Sequence, residues 1–293
     1  MKQLVFLATL LTSTYAYSAI TITQQNLIPE AAKSEVILKA EILGAAYENE
    51  SDRKLNAGGL GIGLSYFYGF SENQAVGVYT TLENQKVKGT GGGTADSEST
   101  VKGMQDIRVL YKGNFEVGPT TLFVHAGFVL PPGDMKAKQT SATDTEMTAT
   151  RGQKALIATV GLIEPVGSLE LGALATYQKN AEGKLVLEDQ SGSSVTYDTK
   201  KGDIFLASIY AELVGDLNLN FAANYERIQD MTYNTGTFQG QEKLIFTGGM
   251  RTSLNEVTEL VGAAGVGMLL NKDHLDIKSY AQVELDLGIR ISY

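Results

Sequence analysis

The chain has 293 residues, 43% of them hydrophobic and 19% charged, with no cysteine, no tryptophan and two histidines. It is too apolar for a disordered segment and too charged for a bundle of membrane helices. The missing cysteines exclude a disulfide framework, a zinc-thiolate centre and a cysteine nucleophile, and a formal charge of −9 argues against nucleic acid as a partner.

At the front, Met1-Lys2-Gln3 leads into the apolar run Leu4–Leu11 and then the small and polar residues Thr12–Ala19. This pattern predicts a signal peptide over 1–19, with Ala16, Ser18 and Ala19 as alternative cleavage positions. The segment 20–32, with a brief Ile20-Thr21-Ile22-Thr23 alternation and Pro29, reads as a periplasmic lead-in, a plug or an extra short strand. No later stretch approaches the ~18 consecutive apolar residues of a membrane helix.

From residue 33 to 293 the hydrophobic pattern has period two. Apolar residues take the even positions of 36–42, 60–70 and 76–82, the odd positions of 101–115, and the even positions of 122–130. Further alternating stretches cover 153–164, 168–179, 202–214, 217–228, 242–253, 257–270 and 281–293. In the last of these, Ala281, Val283, Leu285, Leu287, Ile289, Ile291 and Tyr293 oppose Gln282, Glu284, Asp286, Gly288, Arg290 and Ser292. Such runs are long for soluble strands and match the ~9–11 residues of a tilted membrane-spanning strand. Short connections near 71–74, 117–119, 165–167, 215–216 and 255–256 alternate with longer polar ones near 48–57, 89–100, 132–151, 180–201, 229–241 and 271–274. The layout predicts an all-β, antiparallel, up-and-down transmembrane β-barrel of about 12 strands with both termini on the periplasmic side. A secreted β-sandwich also alternates, so pattern alone leaves it open.

If the apolar faces meet lipid, the opposite parity lines the lumen. That set includes Lys39, Glu41, Lys102, Asp106, Arg108, Lys112, His125, Glu226, Arg251, Glu284, Asp286 and Arg290. Mixed signs on neighbouring strands suit a narrow polar pore, or an interior stapled shut by ion pairs. Lys39 and Glu41 are expected to pair with Glu284, Asp286 or Arg290 where the first and last strands meet. Within 180–201, Leu185 and Leu187 face Val195 and Tyr197 in a predicted hairpin turning near Ser191-Gly192. Pro131, Pro132, Gly133 and Asp134 read as a strand exit, because proline removes ladder donors, or as an anchor that folds 134–151 over the mouth.

Two stretches carry a family resemblance. The segment Val283–Tyr293, ending on an aromatic residue, resembles the terminal signal that outer-membrane barrels present to the barrel assembly machinery, with Tyr293, Ile291 and Ile289 as its apolar row. Gly103-Met104-Gln105-Asp106-Ile107-Arg108-Val109-Leu110-Tyr111-Lys112, followed by Gly127-Phe128-Val129-Leu130-Pro131-Pro132-Gly133-Asp134, resembles the outer-membrane proteins associated with the phenol-degradation meta pathway. Pro132 stands where that family often has threonine. The resemblance implies an outer-membrane channel for passive diffusion of small solutes, hydrophobic or aromatic compounds among them.

The expected partners are therefore outer-membrane lipid, the assembly machinery and a small-molecule solute. No catalytic centre, cofactor or metal site is expected. His125 has inward parity and is followed by Ala126-Gly127, without the serine and asparagine that outer-membrane phospholipases carry after their histidine. His274 lies in a turn without a companion serine. A structural or adhesive barrel with a closed lumen is the main alternative function, and the pattern carries no signal of oligomeric state.

Overall fold

The computed structural model describes residues 28–233, 236–271 and 277–293. The predicted signal peptide, residues 20–27 of the lead-in and His274 lie outside the described residues. The strands are β1 (Ser34–Asn49), β2 (Arg53–Ser71), β3 (Gln74–Gly91), β4 (Ser97–Met104), β5 (Ile107–Val117), β6 (Thr120–Leu130), β7 (Met135–Gln139), β8 (Thr145–Thr148) and β9 (Gln153–Val166). They continue with β10 (Leu169–Glu188), β11 (Ser194–Lys200), β12 (Ile204–Leu213), β13 (Leu217–Ile228), β14 (Met231–Tyr233), β15 (Gly236–Phe238), β16 (Gln241–Asn255), β17 (Thr258–Leu269) and β18 (Ile277–Ser292).

These strands form one sheet that closes on itself, because β1 pairs antiparallel with both β2 and β18. The result is a ring of about 12 staves, in which β4 with β5, β11 with β12, β13 with β14 and β15 with β16 are each one interrupted stave. Closure removes the sheet edges that would otherwise expose unpaired backbone groups. Reciprocal bonds between Ser34 and Tyr293, 2.7 and 2.9 Å, finish the seam.

Period-two alternation sorts the side chains as a closed ring requires. Leu60, Ile209 and Phe221 are 63%, 65% and 65% exposed on the outer face, while Glu35, Glu41 and Glu226 are buried on the inner one. A sandwich would bury the first group; the observed sorting is inverted relative to a soluble core.

At the end that holds Ser34 and Tyr293 the turns are tight, as predicted. At the other end, the connections predicted as long loops at 48–57 and 89–100 are mostly strand, and β1 passes to β2 through residues 50–52 alone. The hairpin predicted at 185–197 is formed, with Leu185 opposite Tyr197 and Glu188 opposite Ser194. Asp189 closes its turn by accepting from the Ser191 hydroxyl, 2.7 Å, and the Ser191 and Ser193 amides.

Residues 131–152 form the least expected part of the ring. β6 ends at Leu130, before the two prolines, and β9 begins only at Gln153, so two staves stop short of their neighbours. The gap is filled by the antiparallel β7–β8 hairpin, which pairs parallel with β10 on one side (Leu185 opposite Met135) and parallel with β4 on the other (Ser99 opposite Thr145). Its two strands sit in crossed order, each beside the stave farther from the one it continues. Parallel pairing across such sequence distances leaves no periodic trace to read.

The stave made of β4 and β5 corrects one expectation. Tyr79 pairs with Arg108 but Glu83 pairs with Gly103, so one extra residue lies between them and forms a bulge at Gly103–Asp106. Inward parity changes across it, from Arg108, Leu110 and Lys112 to Val101, Ser99 and Ser97. Lys102 is therefore turned outward, where it pairs with Glu146 of β8 with its side chain 60% exposed. Gly103 adopts φ +118° with open space where a Cβ would stand, so Gly103→Ala is expected to cost about 1–2 kcal/mol from backbone strain alone. Urea unfolding of the detergent-folded variant measures it, and an unchanged midpoint would show that the bulge relaxes freely.

Candidate functional interior

At the terminal end, the inner surface carries a chain of alternating charges that crosses staves. Glu212 on β12 contacts Arg251 on β16 at 3.3 Å, and Arg251 reaches Glu259 on β17 at 3.6 Å. Glu259 bonds Arg290 on β18 at 2.6 Å, which in turn bonds Glu35 on β1 at 2.5 Å. Each member points inward because its strand parity allows nothing else, and each negative group lies next to a positive one. Across the closing seam Arg290 thus pairs with Glu35.

The next level holds Lys39 and Glu41, bonded along β1 at 2.6 Å, with Asp286 in electrostatic reach of Lys39. Gly61 and Gly63 on β2 face them, and a Cβ at Gly63 would stand 2.7 Å from the Lys39 side chain. The glycines therefore make room for the ion pair. Tyr79 bonds Thr81 at 2.7 Å and Glu41 at 3.3 Å. Glu284 lies beside Asp286 and accepts from Gln282. On the adjacent staves β13 and β16, Glu226 lies beside its ladder partner Lys243 at 3.9 Å, with the lysine over the Tyr280 ring at 5.6 Å. Lys112 sits over the Phe67 ring at 3.8 Å. His125 lies between Lys112 and Thr159 in the ladder, its ring 5.3 Å from that of Phe123. Among the described residues no three metal-binding side chains gather.

Apolar side chains also point inward, which strand parity with a polar lumen does not anticipate. Phe123, Leu174, Leu206 and Tyr210 pack as one cluster inside the ring, and Val129, Ala155 and Ile157 pack with Leu110 as another. These residues occupy the polar parity of their strands, and that mismatch was the signal available in the sequence.

The end opposite the termini is filled by a third cluster. Met135 and Ala137 of β7 and Met147 and Ala149 at the end of β8 pack against Ala45, Leu55, Ala57, Val87, Val101 and Leu185 on the surrounding staves. The β7–β8 hairpin, hydrogen-bonded into the wall between β4 and β10, thus sends Met135, Ala137 and Met147 into the mouth. Besides its ladders to β4 and β10, side-chain contacts hold it at both ends. At its tip, the Glu98 amide donates to Asp144 at 3.0 Å. The Ser141 hydroxyl, at 2.8 Å, and that amide hold the Asp144 carboxyl below its ordinary range. At its root, Asp106 accepts from the Thr150 hydroxyl at 2.6 Å and the Arg151 amide at 3.0 Å. The aspartate of the Gly-x-x-Asp motif therefore anchors the returning loop, while Gln105 beside it donates inward to Glu83 at 2.6 Å.

No protein-family profile and no curated protein matches the sequence. Solved structures do match the fold. An outer membrane channel from Pseudomonas putida F1 superposes with TM-score 0.64 at 12% identity, over 92% of this chain and 97% of that one. The transport unit of the autotransporter AIDA-I from Escherichia coli gives 0.58 at 11%, over 97% and 96%. The translocator domain of the autotransporter NalP from Neisseria meningitidis gives 0.52 at 12%, over 93% and 92%. At such identities the likeness is one of fold, an outer-membrane-type β-barrel.

Proposed function

We propose that this chain is an outer-membrane channel for passive diffusion of small solutes. One observation carries the reading: a closed ring whose outer face is apolar on every stave and whose inner face presents Lys39, Glu41, Glu226, Lys243, Glu284 and Asp286. In this reading the termini face the periplasm and the β7–β8 hairpin faces the cell exterior. Ile289, Ile291 and Tyr293, exposed on the outer face of β18, then serve as the row presented to the assembly machinery. About twelve strands give a bore between filled eight-stranded barrels and open sixteen-stranded porins, which suits small solutes. Hydrophobic or aromatic compounds are the solute class implied by the resemblance of 103–112 and 127–134 to the phenol-pathway-associated proteins. No catalytic role is assigned to His125, whose neighbours are a lysine, a threonine and a phenylalanine.

The packed mouth favours a second reading, a structural barrel with a closed lumen. Planar-bilayer recording separates the two: discrete ion steps support the channel, and silence of a correctly folded barrel supports the closed form. If solutes pass the inner face, Glu284→Lys and Arg108→Glu should shift the reversal potential in a salt gradient in opposite directions, each changing the cation-to-anion permeability ratio by about twofold or more. Unchanged selectivity in both would place these side chains away from the ion path.

A further inference from the structure

Just beyond the apolar belt, at the hairpin end, one sector of the outer wall is basic although the chain as a whole carries −9. Along β3 the outward residues Val76, Val78 and Leu82 are exposed and apolar, and the outward positions that follow are Asn84, Lys86 and Lys88. On β4 the outward residue next to Met104 is Lys102. At ~3.3 Å per residue on a tilted strand, Lys102 stands about 5 Å beyond the belt and Lys86 about 10 Å.

The ladders align these residues in rows. In the row nearer the belt, Lys102 neighbours Thr148, and the Lys136 amide donates to the Thr148 hydroxyl at 2.9 Å, so Lys102 and Lys136 flank one threonine. With strands ~4.8 Å apart, their backbones lie about 10 Å from each other. In the next row Lys86 neighbours Thr100, Thr100 neighbours Glu146, and Lys138 stands between Glu146 and Glu188. The carboxylates are outnumbered. Glu98 serves both Lys86, at 3.1 Å, and Lys88, at 3.6 Å; Glu146 pairs with Lys102, and Glu188 with Lys138 at 2.7 Å. Among the described residues Lys136 enters no ion pair. Elsewhere on the rim the balance reverses, as where Lys278 stands between Glu48 and Asp52. The Lys86, Lys102 and Lys138 side chains are 60%, 60% and 56% exposed, and ion pairs so exposed are weak and exchange partners readily.

We propose that this sector is a docking surface for lipopolysaccharide, the phosphorylated glycolipid of the outer leaflet. Lys102 and Lys136 take a phosphate at the head of its acyl chains, and Lys86 and Lys138 take phosphate farther out. The acyl chains rest on Leu82, Leu130 and Leu156, all exposed on the outer face. Phosphate makes shorter and stronger bonds with ammonium groups than neutral acceptors do, and basic clusters just outside the hydrocarbon layer attract anionic headgroups. Lipid bound here covers the place where β6 and β9 stop short and the hairpin enters the wall. The proposal rests on the orientation given above, with the hairpin end facing the cell exterior.

Native mass spectrometry of the folded full chain in detergent, with bisphosphorylated lipid A as probe and the same lipid stripped of phosphate as its counterpart, tests the surface. The bisphosphorylated lipid should bind saturably and about tenfold or more tighter. Lys102→Gln with Lys136→Gln should weaken it by about tenfold or more, and Lys102→Arg with Lys136→Arg should keep it within about threefold of the parent. The charge-matched pair Lys278→Gln with Arg227→Gln, elsewhere on the rim, should also stay within about threefold. Equal binding of the stripped lipid, an unaffected Lys102→Gln, Lys136→Gln variant, or an equal loss in the charge-matched pair overturns the proposal. Should the glutamine variant fail to fold, the two lipids and the arginine variant decide alone. Ala142→Cys, at the exposed hairpin tip of a chain without cysteine, reads the orientation separately. Labelling of intact cells by a membrane-impermeant maleimide supports it, and labelling of broken cells only overturns the orientation and the docking together. Labelling of intact cells with no binding of lipid A overturns the docking alone and leaves the channel reading.

Discussion

An oxidised disulfide joining positions 99 and 145, made by Ser99→Cys with Thr145→Cys, is expected to suppress open-channel current by about tenfold or more, with recovery on reduction. The two residues are ladder partners between β4 and β8, both buried, and parallel neighbours fall within the ~4.4–6.8 Å Cα separation that a disulfide spans. The chain has no cysteine of its own, so the bond forms without competition. The reasoning is energetic. Met135 and Met147 are the largest side chains that the hairpin places in the mouth cluster, and burial of each is worth ~1.5–3 kcal/mol. Releasing both costs roughly 3–6 kcal/mol before the ladders to β4 and β10 are broken, which makes the uncovered state at least about a hundredfold rarer than the covered one. Current in the parent protein should therefore come in sparse bursts, and the disulfide should remove them. Met147→Ser, which weakens the cover without a crosslink, should lengthen the bursts. Current indifferent to both changes would mean that ions bypass the hairpin, and the cover would then be a static part of the wall.

The staves were legible because a closed membrane ring imposes one rule along the whole chain: alternate residues face lipid, and lipid tolerates no charge. Strand number, turn positions and the inward set at Lys39, Glu41, Glu226, Glu284 and Asp286 follow from that rule. What escaped it has specific causes. Val101 and Ile107 share odd numbers, so the alternation looks continuous through Gly103–Asp106, yet the bulge turns Lys102 outward. The β7–β8 hairpin is held by pairings to β4 and β10, a relation set by register rather than by periodicity. The interior apolar clusters at Phe123, Leu174, Leu206 and Tyr210 escaped because a rule that sorts lipid from lumen says nothing about which lumen positions are dry.

The chain of charges at the terminal end supplies the largest stability effect. Replacing Arg290 by methionine keeps side-chain bulk but strips Glu35 of its bonded arginine, leaving Lys112 in electrostatic reach, and Glu35 has no exposed surface through which water can reach it. Breaking a buried pair from one side costs about 3–5 kcal/mol, because the remaining charge stays desolvated. Glu259 suffers less, since Arg251 still faces it at 3.6 Å. Arg290→Met should therefore lower the free energy of unfolding in urea by about 3–5 kcal/mol, and adding Glu35→Gln should recover most of that loss by removing the stranded charge. The site matters beyond its own energy because Glu35 and Arg290 sit on β1 and β18, the two staves whose pairing closes the ring. A loss well below 1 kcal/mol for Arg290→Met, or a double variant no better than the single, would show that water enters this level freely. Recovery in the double variant would instead show that the pair specifies which strands meet at the seam more than it stabilises their meeting.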